Sequence, residues 1–273
     1  MGVTRLTREN ETAALEYLSR RPIDNAFLIW LIHVDRSLTT RLVTYVCSRA
    51  GDIYGVAYFG AQVVLAAQCD AQATIAFARI ARGYRGERMI ISSRETASAY
   101  WQAVQTWHDP ARLTRESQPL LMVDLATLRI PPCNILVRRA EMHDADDIAE
   151  NSALMIAGEL ERDPSRSTAD YSANIRRMID RRLWWLGESE SERVFYCHIG
   201  AQTDATIQLQ GIWVPAAFRG RGLATASLAN ICECLLTQTP TVSLYVNDFN
   251  ASALRLYERV GFTQIGELST YVF

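Results

Sequence analysis

The sequence predicts an α/β fold with a mixed β-sheet, in which two halves of the chain repeat a similar order of elements. Alternating apolar and polar segments typical of strands stand between segments of helical spacing in both halves. Tandem prolines at Pro131 and Pro132 interrupt regular structure between the halves. A chain of 273 residues with 49% apolar and 21% charged residues is long enough for two globular domains. We therefore expect one domain over residues 1–132 and a second over residues 133–273.

The first half is expected to open with two helices, over 9–19 and 24–34, where apolar residues recur at helical spacing. An antiparallel meander follows, because apolar and polar residues alternate over 42–48, 53–59 and 62–68. The half then closes with a helix (71–82), a strand (87–92), a helix (96–106) and a strand (120–125).

The second half repeats this order, since ILVRRAEMHDADDIAENSALMIA is expected to form a strand, an acidic turn and a helix, with Asp144 as the expected N-cap. The next elements are a helix (171–183), two strands (193–201 and 206–214), a helix (223–236), a strand (241–246) and a helix (250–260). Gly261 is expected to end that last helix in a left-handed conformation. Two closing strands are expected at 262–265 and 270–273.

The basic residues exclude several classes of enzyme. All 28 of them are arginine, so the chain lacks the lysine that phosphate-binding loops of the GK[ST] type, pyridoxal enzymes and Schiff-base aldolases require. The net charge of −2 gives no overall attraction to nucleic acid. The six scattered cysteines are expected to be reduced, and the four histidines show no metal-ligand spacing, so no metal is expected.

The hydropathy pattern argues against a membrane or export. No run of about 18 apolar residues occurs that could span a bilayer. Charges are spread throughout the N-terminal MGVTRLTRENETAALEYL, which is unlike the apolar core of a signal peptide. We therefore expect a cytoplasmic protein.

The stretch WVPAAFRGRGLA, residues 213–224, combines two glycines with two arginines between an expected strand and an expected helix. Gly220 and Gly222 allow backbone N–H groups to converge on an anion at the helix start, where the helix dipole adds positive potential. Arg219 and Arg221 could add charge-assisted hydrogen bonds to phosphate oxygens. A tight turn with solvated arginines is the alternative. The first half makes the same connection as QCDAQATIAF, without glycine, which favours the anion-binding interpretation.

A dinucleotide-binding loop is a second alternative, because Gly220-x-Gly222-x-x-Thr225 comes close to the pattern GxGxxG. That pattern should open a βαβ unit whose second strand ends in an acidic residue. Here the loop follows a meander, and the next strand, TVSLYV, ends at Asn247. The context therefore does not fit.

Two segments together resemble the GCN5-related N-acetyltransferase (GNAT) superfamily. VPAAFRGRGLA is similar to its acyl-CoA-binding motif, Arg/Gln-x-x-Gly-x-Gly/Ala, through Arg219, Gly222 and Ala224. SLYVNDFNASALRLYERVGF resembles its second signature, whose positions are filled by Asn250, Ala253, Tyr257, Gly261 and Phe262. The resemblance covers about residues 135–273. The whole chain looks like actinobacterial members that carry a degenerate N-terminal GNAT-like half.

The resemblance implies an acyl-CoA-dependent N-acyltransferase, with acetyl-CoA or another acyl-CoA as co-substrate and no metal. The strands over 206–214 and 241–246 would splay apart around the pantetheine, and an amine would attack the thioester directly. Tyr257 would protonate the leaving thiolate, and a strand N–H near Trp213 would polarise the thioester carbonyl. The residues expected to bind the co-substrate are Trp213, Val214, Arg219, Gly220, Arg221, Gly222, Leu223, Ala224 and Asn250. Core packing by Tyr257 and plain helix capping by Asn250 are the structural alternatives.

The general base is harder to assign. Members of the superfamily often use a glutamate on the strand before the loop, but this strand carries Gln208 and Gln210. Glu159, Glu161 and His198 are the candidates, and we choose Glu159. The first half has lost the corresponding residues, since Glu95 and Gln102 align with Asn250 and Tyr257. We therefore expect it to bind no acyl-CoA and instead to shape the acceptor site.

Two other functions stay open. An arginine group on the helix near Trp184 and Trp185 could bind a tRNA acceptor stem, which would make the donor an aminoacyl-tRNA. This group consists of Arg176, Arg177, Arg181 and Arg182. A run of helix arginines is more often a solvated face, and the tryptophans more often belong to the core. A protein that senses acyl-CoA without turnover is the third possibility. Otherwise the acceptor is a small-molecule or peptide amine.

Overall fold

The computed structural model describes residues 1–35, 38–84, 89–133, 135–160 and 169–273, except for the side chains of residues 35, 38, 159, 160, 169 and 170. Within these residues the chain forms one mixed sheet of 12 strands with helices on both faces. None of the helices described is both long enough and apolar enough to cross a membrane.

The first half contains six strands and five α-helices in the described ranges. They are β1 (Gly2–Arg5), α1 (Glu11–Leu18), α2 (Ala26–Trp30), α3 (Leu38–Leu42), β2 (Thr44–Arg49), β3 (Asp52–Phe59), β4 (Val63–Leu65), α4 (Ala71–Ala81), β5 (Met89–Ser93), α5 (Arg94–Val104) and β6 (Leu113–Val123). A π-helical turn over Leu31–Asp35 follows α2. Asp70 caps α4, because its side chain accepts a hydrogen bond from the backbone N–H of Gln72.

The second half contains six strands and four α-helices in the described ranges. They are β7 (Leu136–Arg139), α6 (Ala145–Leu160), α7 (Ala169–Asp180), β8 (Trp184–Ser189), β9 (Glu192–Gln202), β10 (Ile207–Trp213), α8 (Leu223–Leu236), β11 (Val242–Tyr245), α9 (Ala251–Val260) and β12 (Thr263–Val272). Gly261 ends α9 at a φ of +104°, so the predicted left-handed cap is confirmed.

The two halves exchange their last strands. The sheet order is β1-β2-β3-β4-β5-β12-β6-β11-β10-β9-β8-β7. Strand β12 of the second half therefore lies between β5 and β6 of the first half, and β6 in turn pairs with β11 of the second. The antiparallel pair β6–β12 forms the centre of the sheet, so that neither half completes its sheet alone.

Helices cover both faces of this sheet. Tyr271 packs with α4 and α5, and Leu121 packs with α8 and α9, on one face. Helices α1, α2, α6 and α7 cover the other face, which is called the α6 face below. Helix α2 of the first half contacts β9 of the second on this face, and the Arg181 guanidinium lies over the Trp30 ring at 5.8 Å. The first half therefore lies partly over the sheet of the second.

The structure corrects several sequence-based boundaries. The two closing strands are one strand, β12, and β1 was not predicted. The predicted helix over 24–34 is α2 followed by the π-helical turn. Asp144 is not an N-cap. Glu141 caps the 3₁₀ turn over Met142–Asp144 that precedes α6, and Asp144 is its capping-box partner, because the Asp144 carboxylate accepts a hydrogen bond from the backbone N–H of Glu141 at 2.8 Å. Trp184 and Trp185 are buried, which confirms their assignment to the core.

Candidate functional site

Strands β10 and β11 separate after a short parallel contact. They pair only at Ile207–Val242 and Gln208–Ser243, although β10 continues to Trp213 and β11 to Tyr245. The edge of β10 beyond Gln208 therefore faces an opening instead of a neighbouring strand. Such an edge can pair with an extended ligand through its backbone groups.

The corresponding strands of the first half, β4 and β5, leave no such opening. The carbonyl of Ala67, just beyond β4, accepts hydrogen bonds from the hydroxyls of Ser93 and Thr96 at 2.8 and 3.0 Å. Its N–H donates to the side chain of Asn25 at 2.8 Å. The hydroxyl of Ser92 donates to the carbonyl of Leu65 at 2.9 Å. The protein itself therefore satisfies the backbone groups that would have to receive a ligand here.

The loop between β10 and α8 exposes a row of backbone donors. Gly220 and Gly222 have φ values of +74° and +79°, and a Cβ atom at either position would meet no atom within 4 Å. Within the described part of the chain, the backbone N–H groups of residues 220–224 donate to no protein acceptor. Gly222 is also the N-cap of α8 and offers no side chain to satisfy them. The loop thus has the geometry of an anion site at a helix N-terminus.

The two arginines of this loop differ in their contacts. Arg219 lines the opening, donates from Nε to the carbonyl of Val214 at 2.9 Å and stacks over Trp213 at 4.7 Å. Arg221 lies over the ring of Phe218 at 5.9 Å and is exposed. Leu223 packs into the core, so only its backbone N–H faces the loop. The Arg219 bond ties the loop to the end of β10 and leaves its terminal nitrogens for an anion.

Helix α9 forms the opposite wall of the opening. The side chain of Asn250 accepts from the backbone N–H of Ala253 at 3.1 Å, so the predicted N-cap is confirmed. Tyr257 is buried, contacts Phe262 edge to face with ring centroids 5.8 Å apart, and lines the same opening as Asn250. Both residues of the second sequence signature are thus brought to one cavity.

The opening continues as a cavity of about 970 Å³, which is large enough for an extended ligand and an acceptor together. Of the residues expected to bind the co-substrate, those that line it are Trp213, Val214, Arg219, Gly220, Gly222, Ala224 and Asn250. On the α6 face its lining includes Met155 and Gly158 of α6, together with His198 and Gln210. The cavity therefore runs through the gap between β10 and β11 from one face of the sheet to the other.

A β-bulge bends β10 beside the cavity. The pairing of β10 with β9 shifts register between Gln210 and Trp213, and Gly211 has a φ of +63°. A Cβ atom on Gly211 would lie 2.7 Å from Cδ2 of His198. Only glycine fits this bend against the imidazole ring. A glycine inside an alternating strand is a sequence indication of such a bulge, which the sequence prediction did not use.

The charged side chains in the described part of the cavity lining are arginines. Its described lining contains four arginines and no carboxylate; the arginines are Arg115, Arg219, Arg255 and Arg259. His198 is half-buried beside Trp184, with ring centroids 4.7 Å apart, and desolvation of its imidazole lowers its pKa to about 4. The imidazole is therefore neutral near pH 7. Glu159 lies in the last turn of α6, directly after Gly158 of the cavity wall, but its side chain is outside the described residues, as is the whole of Glu161.

An ion-pair network supports the wall formed by α6. Asp144 is buried and bound by Arg138 and Arg193, each at 2.7 Å. Burial opposes the ionisation of Asp144, but hydrogen bonds from Arg138, the Glu141 backbone and Arg193 outweigh it and hold its pKa well below the usual range. Asn151 of α6 accepts from Nε1 of Trp213 at 3.3 Å. The network thus holds α6 against the sheet, and Asn151 connects α6 to the end of β10.

The four arginines considered for tRNA lie on or just after α7, and none of them lines the cavity. Arg176 is paired with Asp146 at 2.7 Å, and Arg181 stacks over Trp30. The described residues contain no group of three or more His, Cys, Asp or Glu side chains arranged to hold a metal ion. A role for the arginines in RNA binding stays a prediction.

Two family models match separate parts of the chain. Residues 153–262 match the model of the "Acetyltransferase (GNAT) family", and residues 43–148 match a "Domain of unknown function (DUF4081)". The chain is 37% identical over 70 residues to the acetyltransferase Atu2258 of Agrobacterium fabrum, a match to 26% of this chain and 50% of the relative. That alignment therefore spans half the relative's length.

Solved structures are similar over the whole chain. A GNAT-family acetyltransferase from Colwellia psychrerythraea has a TM-score of 0.62 and 13% identity, covering 100% of both chains. A tandem GNAT protein from the clavulanic acid biosynthesis pathway has a TM-score of 0.58 and 12% identity, covering 99% of this chain and 98% of that one. At such low identity the likeness shows the fold, a tandem GNAT arrangement with a mixed α/β sheet.

Proposed function

The C-terminal half of the chain belongs to the GNAT superfamily, and on that premise we propose that the protein transfers an acyl group, acetyl by default, from acyl-CoA to an amine. The observation that carries this proposal is the opening between β10 and β11, closed at one end by a loop of unsatisfied backbone N–H groups. Acyl transfer in general is the activity of this superfamily. The amine acceptor and the roles of individual residues are our proposal.

The donor would bind along the edge of β10. The N–H groups of residues 220–224 would receive the pyrophosphate, with the terminal nitrogens of Arg219 beside them. The backbone near Trp213 and Val214 would pair with the pantetheine as an added strand. Arg255 and Arg259 of α9 line the same cavity and would contribute positive potential on the donor side.

The reaction would be a direct attack. The amine nitrogen bonds to the thioester carbonyl carbon, and the carbon–sulfur bond then breaks to give the amide and the CoA thiolate. Tyr257 would donate its phenolic proton to that thiolate and later recover one from solvent. An N–H of the bulged segment near Trp213 would stabilise the negative carbonyl oxygen of the intermediate.

The acceptor amine must lose a proton before it attacks. Glu159 remains our choice for the base that takes the proton, because its place in α6 follows the cavity-lining Gly158. His198, with a pKa near 4, is too weak a base to match this task at neutral pH.

The first half would have a structural role around the acceptor. The backbone groups beside β4 and β5 are satisfied internally, so we infer that this half binds no acyl-CoA. Its β6 and β5 contribute Gln118, Arg115 and Met89 to the cavity of the second half. Residues 1–132 and 133–273 would then be two domains by evolutionary origin that share one sheet in the folded protein.

Calorimetric titration of the full-length protein with acetyl-CoA tests the donor site. We expect micromolar binding at one site per chain, which Gly222→Glu abolishes by placing a carboxylate where the pyrophosphate lies. Gly51→Glu is the matched control, because Gly51 also has a positive φ (+92°) and open space around it but lies in the β2–β3 turn. Both substitutions carry a similar backbone strain of about 1 kcal/mol.

The possible outcomes separate the proposals. Equal loss of binding in both variants would indicate a folding defect, and unchanged binding in Gly222→Glu would refute the anion site. A wild type that does not bind acetyl-CoA would refute the donor and make aminoacyl-tRNA the next one to test. Two bound molecules per chain would contradict the structural role of the first half.

A further inference from the structure

Trp213, at the end of β10, faces helix α6 because of the bulge beside it. From Gln210 to Trp213, strand β10 advances three residues while β9 advances only two, from His198 to Tyr196. Without the extra residue, Trp213 and Gln210 would lie on opposite faces of the sheet. With it, Trp213 lies opposite Tyr196, and both pack in the core cluster of α6 and α7. The bulge therefore turns the indole towards α6.

A hydrogen-bond network on α6 fixes the side-chain amide of Asn151. Its Nδ2 donates to the backbone carbonyl of Asp147 at 3.1 Å, to Asp147 Oδ1 at 3.3 Å and to the hydroxyl of Tyr196 at 3.4 Å. That hydroxyl donates in turn to Asp147 Oδ2 at 2.8 Å. Because Nδ2 faces these acceptors, the amide oxygen points the other way and accepts from Nε1 of Trp213 at 3.3 Å. The network thus fixes the orientation of the group that holds the indole.

The ring of Trp213 supports the first arginine of the loop. The guanidinium of Arg219 lies 4.7 Å from the centroid of this ring, which is within the range of a cation–π interaction. Its Nε also donates to the carbonyl of Val214 at 2.9 Å. An exposed arginine loses rotamer freedom when it binds an anion, so an arginine that is already held in place binds the anion more tightly. The indole is therefore a support for the charge that faces the donor.

We propose that Asn151 is a positioning residue for donor binding, because it fixes the indole of Trp213 and the indole holds Arg219 in place for the pyrophosphate. Asn151 is not one of the residues that line the described part of the cavity, so it acts on the donor through Trp213. Met155 and Gly158, four and seven residues further along α6, share its face of the helix and do line the cavity. One helix face thus carries both a wall of the cavity and the support of the donor's arginine. The inference rests on the proposed acyl-CoA site.

Calorimetric titration of full-length variants with acetyl-CoA tests this assignment. Asn151→Leu keeps the approximate size of the side chain and removes the acceptor of the indole N–H. It should weaken binding roughly 3- to 10-fold, as expected for the loss of a neutral hydrogen bond. Arg219→Met should weaken binding roughly 10- to 100-fold, because it removes a charged partner of the pyrophosphate. Asn174→Leu, the same substitution at an exposed position of α7, is the control and should leave the Kd unchanged.

Double variants separate positioning from a general disturbance of α6. In an Arg219→Met background, Asn151→Leu should weaken binding by less than about twofold, because no guanidinium is left to position. The same result is expected in a Trp213→Phe background, where the ring keeps its face but has no N–H to donate. A disturbance of α6 would instead weaken binding by the same factor in every background, and that result would overturn the inference.

The results also distinguish this inference from the proposed function. If the wild type binds acetyl-CoA and Asn151→Leu binds it equally well, the inference is overturned while the donor site stands. The same holds if Asn174→Leu weakens binding as much as Asn151→Leu does. If the wild type fails to bind acetyl-CoA, the proposed function fails and the inference fails with it.

Discussion

The desolvated imidazole of His198 should make the protein less stable in mild acid. Its folded pKa of about 4 lies below the ordinary value of 6.5, so between these values the unfolded chain binds more protons than the folded one. Stability from the neutral imidazole is therefore complete above pH 6.5 and is lost as the pH falls towards 4. At about 1.36 kcal/mol per pKa unit, lowering the pH from 7.5 to 4.5 should cost roughly 2.5 kcal/mol from this residue alone.

The assay is urea denaturation of the wild type and of His198→Gln at several pH values between 4.5 and 7.5. Glutamine does not titrate, so the variant lacks this contribution whatever its absolute stability. Carboxylates such as Asp144 titrate in both proteins and cancel in the difference. The free energy of unfolding of the wild type should fall relative to that of the variant by roughly 2.5 kcal/mol across the range. A difference that stays constant with pH would refute the burial argument.

Three further substitutions test the site and its support. Tyr257→Phe should lower kcat by about 10²-fold while leaving the Kd for acetyl-CoA unchanged, whereas a sensor without turnover would show no change. Glu159→Gln should lower kcat/KM by about 10²-fold near neutral pH, and the activity of the variant should recover as the pH approaches the pKa of the amine. An unaltered pH profile would exclude Glu159 as the base. An equal loss in Glu150→Gln, an exposed position on the same helix, would exclude it as well. Asp144→Asn should cost about 3 kcal/mol of stability, because it removes the buried carboxylate that Arg138 and Arg193 both bind. Asp146→Asn removes a solvent-exposed ion pair and should cost less than about 1 kcal/mol, so similar losses would contradict the network's role.

Local patterns in the sequence predicted the loop and the helix cap of the candidate site. Glycines before a helix and an asparagine at the start of another helix can be recognised from the local sequence, because both act on backbone groups within one turn. The loop at Gly220 and Gly222 and the cap at Asn250 accordingly lie where the sequence placed them. The sequence also predicted which strands would separate, through the family resemblance.

The part of the cavity wall that β6 forms could not be predicted in this way. Arg115 reaches the cavity only because a bulge changes its face and because β6 pairs with a strand about 150 residues away in sequence. Alternation counted along β6 alone would place Arg115 on the face opposite to Gln118. Asp144 was misassigned for a local reason, since Glu141, three residues earlier, caps the turn before α6. The pairing of strands that are far apart in the sequence produces no periodic pattern from which it could be predicted.

The strand exchange has a consequence for the order in which the chain can fold during synthesis. Strand β12 is made after every other described strand, yet it fills the position between β5 and β6 of the first half. Until it leaves the ribosome, the facing edges of β5 and β6 remain unpaired, and such edges readily pair with other chains. A chain interrupted before β12 would therefore leave the sheet incomplete in both halves. The whole sheet can therefore form only after β12 has been made.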